Sequence, residues 1–276
     1  LFGTNCAIEL NKHCNVTVFE RNKDIMMEAS YVNQYRHHWG YHYPRSVETV
    51  KDIRDAIPSF ESLYNNAIIR NFPTYYSIAK EGSKTSAKEY LEFCRNNNLP
   101  FTEEFPDPKY LNRDKIDCCI KTLEPIYDFD KLKEIVRKYL SSCKNVKIKL
   151  NHNIINASIE KNGKKKLTIK RGNKVFEEEF DYIINTTYGN HNQLSHWLSF
   201  SIKPIRIDLV EALVIKLPIP KISLAVMDGP FTNLVPINRS NSFTLVHIKE
   251  SILQRYVPND GLPYENVIPQ SRAKKI

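Results

Sequence analysis

A glycine near the start of an apolar-periodic helix and an acidic residue closing the next strand constrain this chain more than any other feature. Leu1-Phe2-Gly3-Thr4-Asn5 opens a helix whose apolar positions run through Ala7, Ile8 and Leu10, and Val16-Thr17-Val18-Phe19 reads as a buried strand ending in Glu20. In a dinucleotide-binding βαβ unit the third glycine of G-x-G-x-x-G lets helix and strand pack closely. An acidic residue ending the second strand then bonds the ribose hydroxyls, about 20 residues after the motif begins. Gly3 and Glu20 fit those two roles, with the first strand and the first two glycines expected upstream of Leu1.

Downstream, Ala29-Ser30 and then Asn33-Gln34-Tyr35-Arg36-His37-His38-Trp39-Gly40-Tyr41-His42-Tyr43-Pro44-Arg45-Ser46 crowd donors, cations and aromatics into a stretch with neither helical nor strand period. Such a segment is a loop that touches something. Here the sequence resembles the D-amino-acid-oxidase family of FAD-dependent oxidoreductases, in which a Ser-bearing turn and a loop of Arg, His and Gly beneath the flavin follow the acidic strand end. The resemblance implies FAD as cofactor, with Gly3, Glu20, Arg21, Ser30, Asn33, Gln34 and Arg36 among its contacts. It also implies an α/β fold in which a Rossmann-like FAD-binding domain of the GR2 type is interleaved with an antiparallel-sheet α+β substrate domain. Relative to that family the chain is expected to be truncated at both ends.

Phe180-Asp181-Tyr182-Ile183-Ile184-Asn185-Thr186-Thr187-Tyr188-Gly189 reads as a buried strand running into a turn, and cofactors dock at strand carboxyl ends in open α/β sheets. It is similar to the D-x-V-I-N-A-T-G strand of two-dinucleotide-binding-domain flavoproteins, which adds Thr187 and Gly189 to the implied FAD contacts. The chain departs from that pattern by placing Thr187-Tyr188 where alanine or threonine would directly precede glycine.

The remaining elements divide the chain into four expected segments. Residues 1–58 begin the FAD-binding domain, 59–128 the substrate domain, and 129–200 and 201–276 return to each in turn. Helices are expected over 47–57, capped by Ser46, over 85–94, with Ser86 and Glu89 at capping-box spacing, and over 132–140. One or two strands are expected between Asp117 and Asp128. Strand Val146-Lys147-Ile148 precedes three short alternating strands, Asn153–Glu160, Lys165–Lys170 and Lys174–Glu179, the first two joined by a turn at Asn162-Gly163. From Ile205 the pattern becomes antiparallel strands, and residues 256–276 carry no clear element.

Composition narrows the function classes. With 41% apolar and 26% charged residues the chain is ordinary globular material, and its net charge of +9 comes from Lys and Arg spread along its length. No zinc-finger spacing, RNP-like motif or basic-region helix supports a nucleic-acid partner. No run of eighteen apolar residues supports a membrane span. Six cysteines without a C-x-x-C pair read as reduced thiols, which favours a cytoplasmic setting. The implied partner is a small-molecule substrate, and the sequence is silent on oligomeric state.

With a flavin carrying the redox chemistry, few catalytic side chains are needed. Arg36 is the first candidate for a cation stabilising the reduced ring. His38 and His42 could contact flavin or substrate, with His42 a base near neutral pH, or could pack inertly beside Trp39, Tyr41 and Tyr43. Their i, i+4 spacing would suit a metal pair on a helix, but Gly40 and Pro44 argue against a helix and no third ligand is evident, so no metal is expected. No G-x-S-x-G elbow supports Ser/His/Asp hydrolysis. Tyr43, Arg45, Tyr188 and His247 are unranked candidates for substrate recognition. The expected activity is oxidation of a C–H of an amine, amino acid or hydroxy acid by hydride transfer to FAD. The rivals are an NAD-dependent dehydrogenase and a non-catalytic dinucleotide-binding module.

Overall fold

The computed structural model describes residues 1–237, 241–258, 261–262 and 271. Helix α1 (Phe2–Leu10) leads to strand β1 (Val16–Glu20), and helix α2 (Val47–Tyr64) to strands β2 (Ile68–Ile69) and β3 (Thr74–Ala79). Helix α3 (Ala87–Asn96), strands β4 (Thr102–Glu103), β5 (Ile116–Thr122) and β6 (Ile126–Tyr127) and helix α4 (Phe129–Ser142) follow. Next come strands β7 (Val146–Leu150), β8 (Asn153–Ile159), β9 (Lys165–Arg171) and β10 (Lys174–Phe180) and helix α5 (His191–Trp197). The last strands are β11 (Ile207–Val210), β12 (Leu213–Lys216), β13 (Ser223–Val226), β14 (Thr232–Ile237), β15 (Ser242–His247) and β16 (Ile252–Tyr256).

The chain forms two compact units. One comprises Leu1–Asn33, Lys133–Leu209 and Gln254–Pro269; the other comprises Gln34–Leu132, Val210–Leu253 and Gln270–Ile276. The Arg/His loop and α2 therefore lie in the second unit. The expected absence of an element over 256–276 lies largely outside the described residues.

In the first unit β1 and β7 pair in parallel, register Val16↔Val146 through Glu20↔Leu150, so that Glu20 stands at the carboxyl end of the pair. Parallel pairing needs a long crossover, and the chain between these strands supplies one. Beside them β8, β9 and β10 form an antiparallel sheet. The Asn162-Gly163 step makes its first turn with Gly163 at φ +82°, a conformation glycine adopts without a Cβ penalty. Ala157, Leu167 and Ile169 of that sheet bury against Leu194 of α5 and Leu198, with Phe19 of β1 at the edge of the same cluster. Asp24 clips the segment after β1 to α4, accepting from Lys133 at 2.7 Å and from Arg137. Burial works to raise its pKa, but the hydrogen bonds from Lys133 and Arg137 hold it down at about 2.

The stretch from Phe180 to Gly189 differs from expectation. Strand β10 ends at Phe180, and residues 182–187 run unpaired, with Tyr182 86% and Ile184 53% exposed. Apolar residues alone do not make a strand; the backbone also needs a neighbour to bond, and none of the described strands lies beside this segment.

The second unit is built on a seven-stranded sheet in the order β12-β15-β14-β13-β3-β5-β4. It is antiparallel except where β13 pairs with β3 in parallel, Ser223↔Thr74 through Val226↔Ser77. Helix α2 is capped by Ser46 as expected but continues through Pro58 to Tyr64. Proline removes one intrahelical bond, yet Tyr64, 1% exposed, draws the following turn onto the core. Helix α3 carries the full capping box, with the Ser86 and Glu89 side chains each accepting from the other's backbone N–H. Tyr90, Phe93 and Cys94 of that helix pack with Tyr41, Tyr76, Ile78 and Ile120. All six cysteines are free.

Ile169 is fully buried at the centre of the β8–β10 core. Ile169→Ala should lower the unfolding free energy by about 2–5 kcal/mol, read by urea denaturation; an exposed control, Val175→Ala, should change it far less.

Candidate active site

In the first unit, the start of α1 meets the end of the 182–187 segment. A Cβ added to Gly3 would lie 2.7 Å from Thr186 Oγ1, so a larger residue here would have to displace the Thr186 side chain. The Leu1 backbone nitrogen lies 2.9 Å from Ser30 Oγ. Glu20 Oε1 accepts from the Asn22 backbone N–H at 2.8 Å and from Asn22 Nδ2 at 3.0 Å. Its other oxygen has no hydrogen bond among the described residues. Arg21 is turned to Glu28, 3.0 Å away, and Asn33 Nδ2 donates to the Ala29 and Ser30 carbonyls, closing the serine turn.

Thr187 N–H and Oγ1 both donate to Asn185 Oδ1. Tyr188, not Gly189, takes the left-handed conformation, at φ +50°. A non-glycine residue there costs about 1–2 kcal/mol. Gly189 has open space where a Cβ would sit. Its lack of a side chain therefore meets no steric demand from the protein itself.

In the second unit, loop residues 34–46 fold over a fully buried carboxylate. Glu124, 1% exposed, lies in the turn between β5 and β6. Its Oε2 accepts from the Trp39 backbone N–H at 2.8 Å, and its Oε1 accepts from the Tyr76 hydroxyl. His38 Nδ1 stands 3.5 Å from the same Oε1, within ion-pair range. The turn is itself held, since Thr74 Oγ1 donates to the Glu124 carbonyl at 2.9 Å. Burial works to raise the Glu124 pKa, but the His38 ring, the Arg36 charge and the Tyr76 hydrogen bond bring it below the ordinary carboxylate value. Tyr76 is pushed well above the usual phenol range by burial and by Glu124, so it stays a hydrogen donor.

Arg36 points inward. Its Nη1 donates to Ser223 Oγ at 3.1 Å and to the Tyr76 oxygen at 3.3 Å, and its guanidinium carbon lies 5.6 Å from the centre of the Tyr76 ring. The Arg36 backbone bridges to Ile126, which fixes where the side chain enters the sheet. Gly40, at φ +122°, lies so close to Val50 of α2 that a Cβ would fall 2.9 Å from its Cγ1. His38, Tyr43 and His42 gather with ring centres 5.4–5.7 Å apart, and His42 lies edge-on to Tyr76. Several buried donors along this loop have no hydrogen-bond partner among the described residues: Gln34 Nε2, Arg36 Nε and Nη2, and Trp39 Nε1. Each such group costs about 1–3 kcal/mol, so their concentration between residues 34 and 39 fits a polar ligand that completes them.

Of the remaining candidates, Arg45 spends its fork on Asp228, at 2.8 and 2.9 Å, and His247 Nδ1 accepts the Lys249 and Glu250 backbone N–H groups. Tyr43 stands in the ring cluster, and Tyr188 is 80% exposed in the first unit. Among the described residues no group of three or more His, Cys, Asp or Glu side chains could hold a metal ion. Glu124 is the residue that sequence reading missed. Its signal was a single acidic residue before Pro125 between two apolar runs, which the strand reading of 117–128 passed over.

His42 differs from the expectation of a base near neutral pH. Burial, then the charges of Arg36 and His38, push its pKa down to about 3. The folded pKa lies below the unfolded value of 6.5, so above pH 6.5 the ring is neutral in both states and contributes no pH dependence. Below it the unfolded chain takes up a proton that the native state refuses, and stability falls by up to about 1.4 kcal/mol per pH unit. Urea unfolding between pH 6.5 and 5 should show this slope, and His42→Gln should remove it; an unchanged slope would contradict the assignment.

Similarity to known proteins agrees with this geometry. No protein-family model matches the chain. FAD-dependent monooxygenase FPY4 of Fusarium mangiferae is 24% identical over 243 residues, covering 87% of this chain and 59% of that protein, so the chain spans less than two thirds of that relative's length. Glycine oxidase from Geobacillus kaustophilus superposes with a TM-score of 0.67 at 12% identity, over 92% of this chain and 69% of that one. L-α-glycerophosphate oxidase from Mycoplasma pneumoniae, with FAD bound, gives 0.63 at 15% identity, over 88% and 67%. L-proline dehydrogenase from P. horikoshii gives 0.61 at 12%, over 88% and 66%. With its parallel β1–β7 pair, its small antiparallel sheet and its large mixed sheet, the chain has the fold of FAD-dependent oxidoreductases of the D-amino-acid-oxidase type.

Proposed function

We propose that this chain acts in an FAD-dependent oxidoreductase that oxidises a C–H of an amine, amino acid or hydroxy acid. The observation that carries the reading is the carboxyl end of β1, where Glu20 keeps one oxygen without a hydrogen bond among the described residues, together with a helix start whose Gly3 packs against Thr186. A carboxylate so placed is the acceptor a ribose diol requires. Ser30, the Thr186–Thr187 backbone and the open side of Gly189 are the groups proposed to lie along the rest of the nucleotide, with Arg21 and Asn33 holding the turn. In the second unit, Gln34, Arg36, His38 and His42 are proposed to serve the reacting half. The unpartnered donors there favour FAD, whose ring edge is rich in acceptors.

Bound FAD would supply two-electron acceptance, and the chain's own task is to orient the substrate and to accept the proton that leaves its nitrogen or oxygen. The Arg36 charge, compensated by Glu124, would tune the field beside the ring and not bind substrate through its tethered edge. Similarity to glycine oxidase, L-α-glycerophosphate oxidase and L-proline dehydrogenase supports oxidation of small polar substrates. The fungal relative's name supports monooxygenation as a second reading, separable by incorporation of labelled oxygen into product. An NAD-dependent enzyme would bind its nucleotide reversibly and carry no flavin.

Full-length protein should purify yellow and release FAD on denaturation; colourless protein that FAD does not convert would overturn the reading. Glycine, L-α-glycerophosphate and L-proline are the first compounds to screen for bleaching of the bound flavin. Glu20→Ala should weaken FAD binding by roughly 10- to 100-fold, the range of a lost hydrogen bond to a charged group, measured by flavin fluorescence titration.

A further inference from the structure

The ring cluster presents two histidines with similar surroundings in sequence and different surroundings in space. His42 is kept neutral and a poor base by burial beside Arg36. His38 Nδ1 is shut away from solvent 3.5 Å from Glu124 Oε1, within ion-pair range, and makes no hydrogen bond to any of the described residues. The ring as a whole is 28% exposed, so its accessible part lies on the side away from Nδ1. Which imidazole nitrogen carries the proton is set by what the other faces.

We propose that Glu124 is a positioning residue whose carboxylate, within ion-pair range of Nδ1, favours the Nδ1–H tautomer of His38 and leaves the Nε2 lone pair free to act as the proton acceptor of the site. The assignment of that acceptor to substrate oxidation rests on the function proposed above. As carbon gives up a hydride to FAD and its nitrogen or oxygen forms the new double bond, the proton on that heteroatom passes to Nε2 and later to water. Charge and electrons then balance with FAD as the sole oxidant of the substrate.

The neighbours of Glu124 make a test that a structural role would not mimic. Its two oxygens serve different donors: Oε2 receives a backbone N–H that cannot turn away, and Oε1 receives a hydroxyl that can rotate. In Glu124→Gln the amide oxygen must therefore stay at the Trp39 N–H, which turns the amide NH2 toward His38. Facing a donor, Nδ1 must become an acceptor, and the proton moves to Nε2. One atom changed at position 124 thus converts the exposed nitrogen of His38 from acceptor to donor.

The experiment is long-range ¹H–¹⁵N correlation on histidine-labelled full-length protein, at a pH where His38 is neutral, with His38 assigned by its loss in His38→Gln. Wild type should show Nδ1–H, Glu124→Asp should retain it, and Glu124→Gln should show Nε2–H. Wild-type His38 in the Nε2–H form, or no change in Glu124→Gln, would overturn the proposal. If Glu124→Gln does not fold, the wild-type and Glu124→Asp spectra decide. In the kinetic arm, Glu124→Gln should slow flavin reduction by the best of the three screened compounds by roughly 10³- to 10⁴-fold, the scale of lost tautomer control in carboxylate–histidine pairs. An unslowed reaction would overturn the proton-acceptor role. Flavin-free protein with the expected tautomers would instead sink the functional reading and leave the Glu124–His38 assignment standing.

Discussion

A single carboxylate with no access to water organises the second unit. Removing an ion from water costs several kcal/mol unless donors replace the lost hydration, and Glu124 obtains them from three separate places: a loop backbone N–H, a strand tyrosine and a loop histidine. Arg36 completes the set by donating to Tyr76, which passes its own proton toward Glu124. A loop without helical or strand period thereby acquires a fixed path. Gly40 contributes by letting the backbone press against Val50. The aromatic rings then follow from backbone positions that the polar network has set.

The first unit turns on a different close contact: Gly3 of α1 packs against the Thr186 side chain, where a Cβ would meet its hydroxyl. The positive end of the same helix lies beside Ser30, and Glu20 ends the strand that follows the helix. A carboxylate and a helix start side by side offer complementary partners to the two ends of one nucleotide, the sugar hydroxyls and the phosphates. Tyr188 adds strain at the neighbouring turn, holding a left-handed conformation that glycine would adopt without a Cβ penalty.

Much of this was legible where local chemistry and final structure agree. The alternating strands around Asn162-Gly163, the Ser46 cap and the Ser86–Glu89 box carry their own geometry, and the structure keeps all of them. Position along the chain was less informative where tertiary partners settle the outcome. The 182–187 segment has strand composition and no strand beside it. Helix α2 passes a proline because the core on its far side rewards continuation. Glu124 was invisible for the same reason: the site that buries it brings Tyr76 of β3 and Trp39 and His38 of a loop to the turn between β5 and β6, and none of these reports the others in sequence. Arg36 was read as a cation for a ligand, whereas two of its contacts face the sheet.

The two histidines show why residue type and spacing fall short of chemistry. His38 and His42 lie four residues apart in one loop, and their rings sit 5.6 Å from each other. A carboxylate within ion-pair range of one, and burial beside a guanidinium for the other, separate what they can do. Environments that push two titratable groups apart are how a site assigns acid and base roles. Here the difference in surroundings needs no ligand to create it, because Glu124 stands 3.5 Å from His38 while Arg36 and burial act on His42 within the folded chain. Two rings of one residue type, four positions apart, are thereby made chemically unequal by side chains distant in sequence.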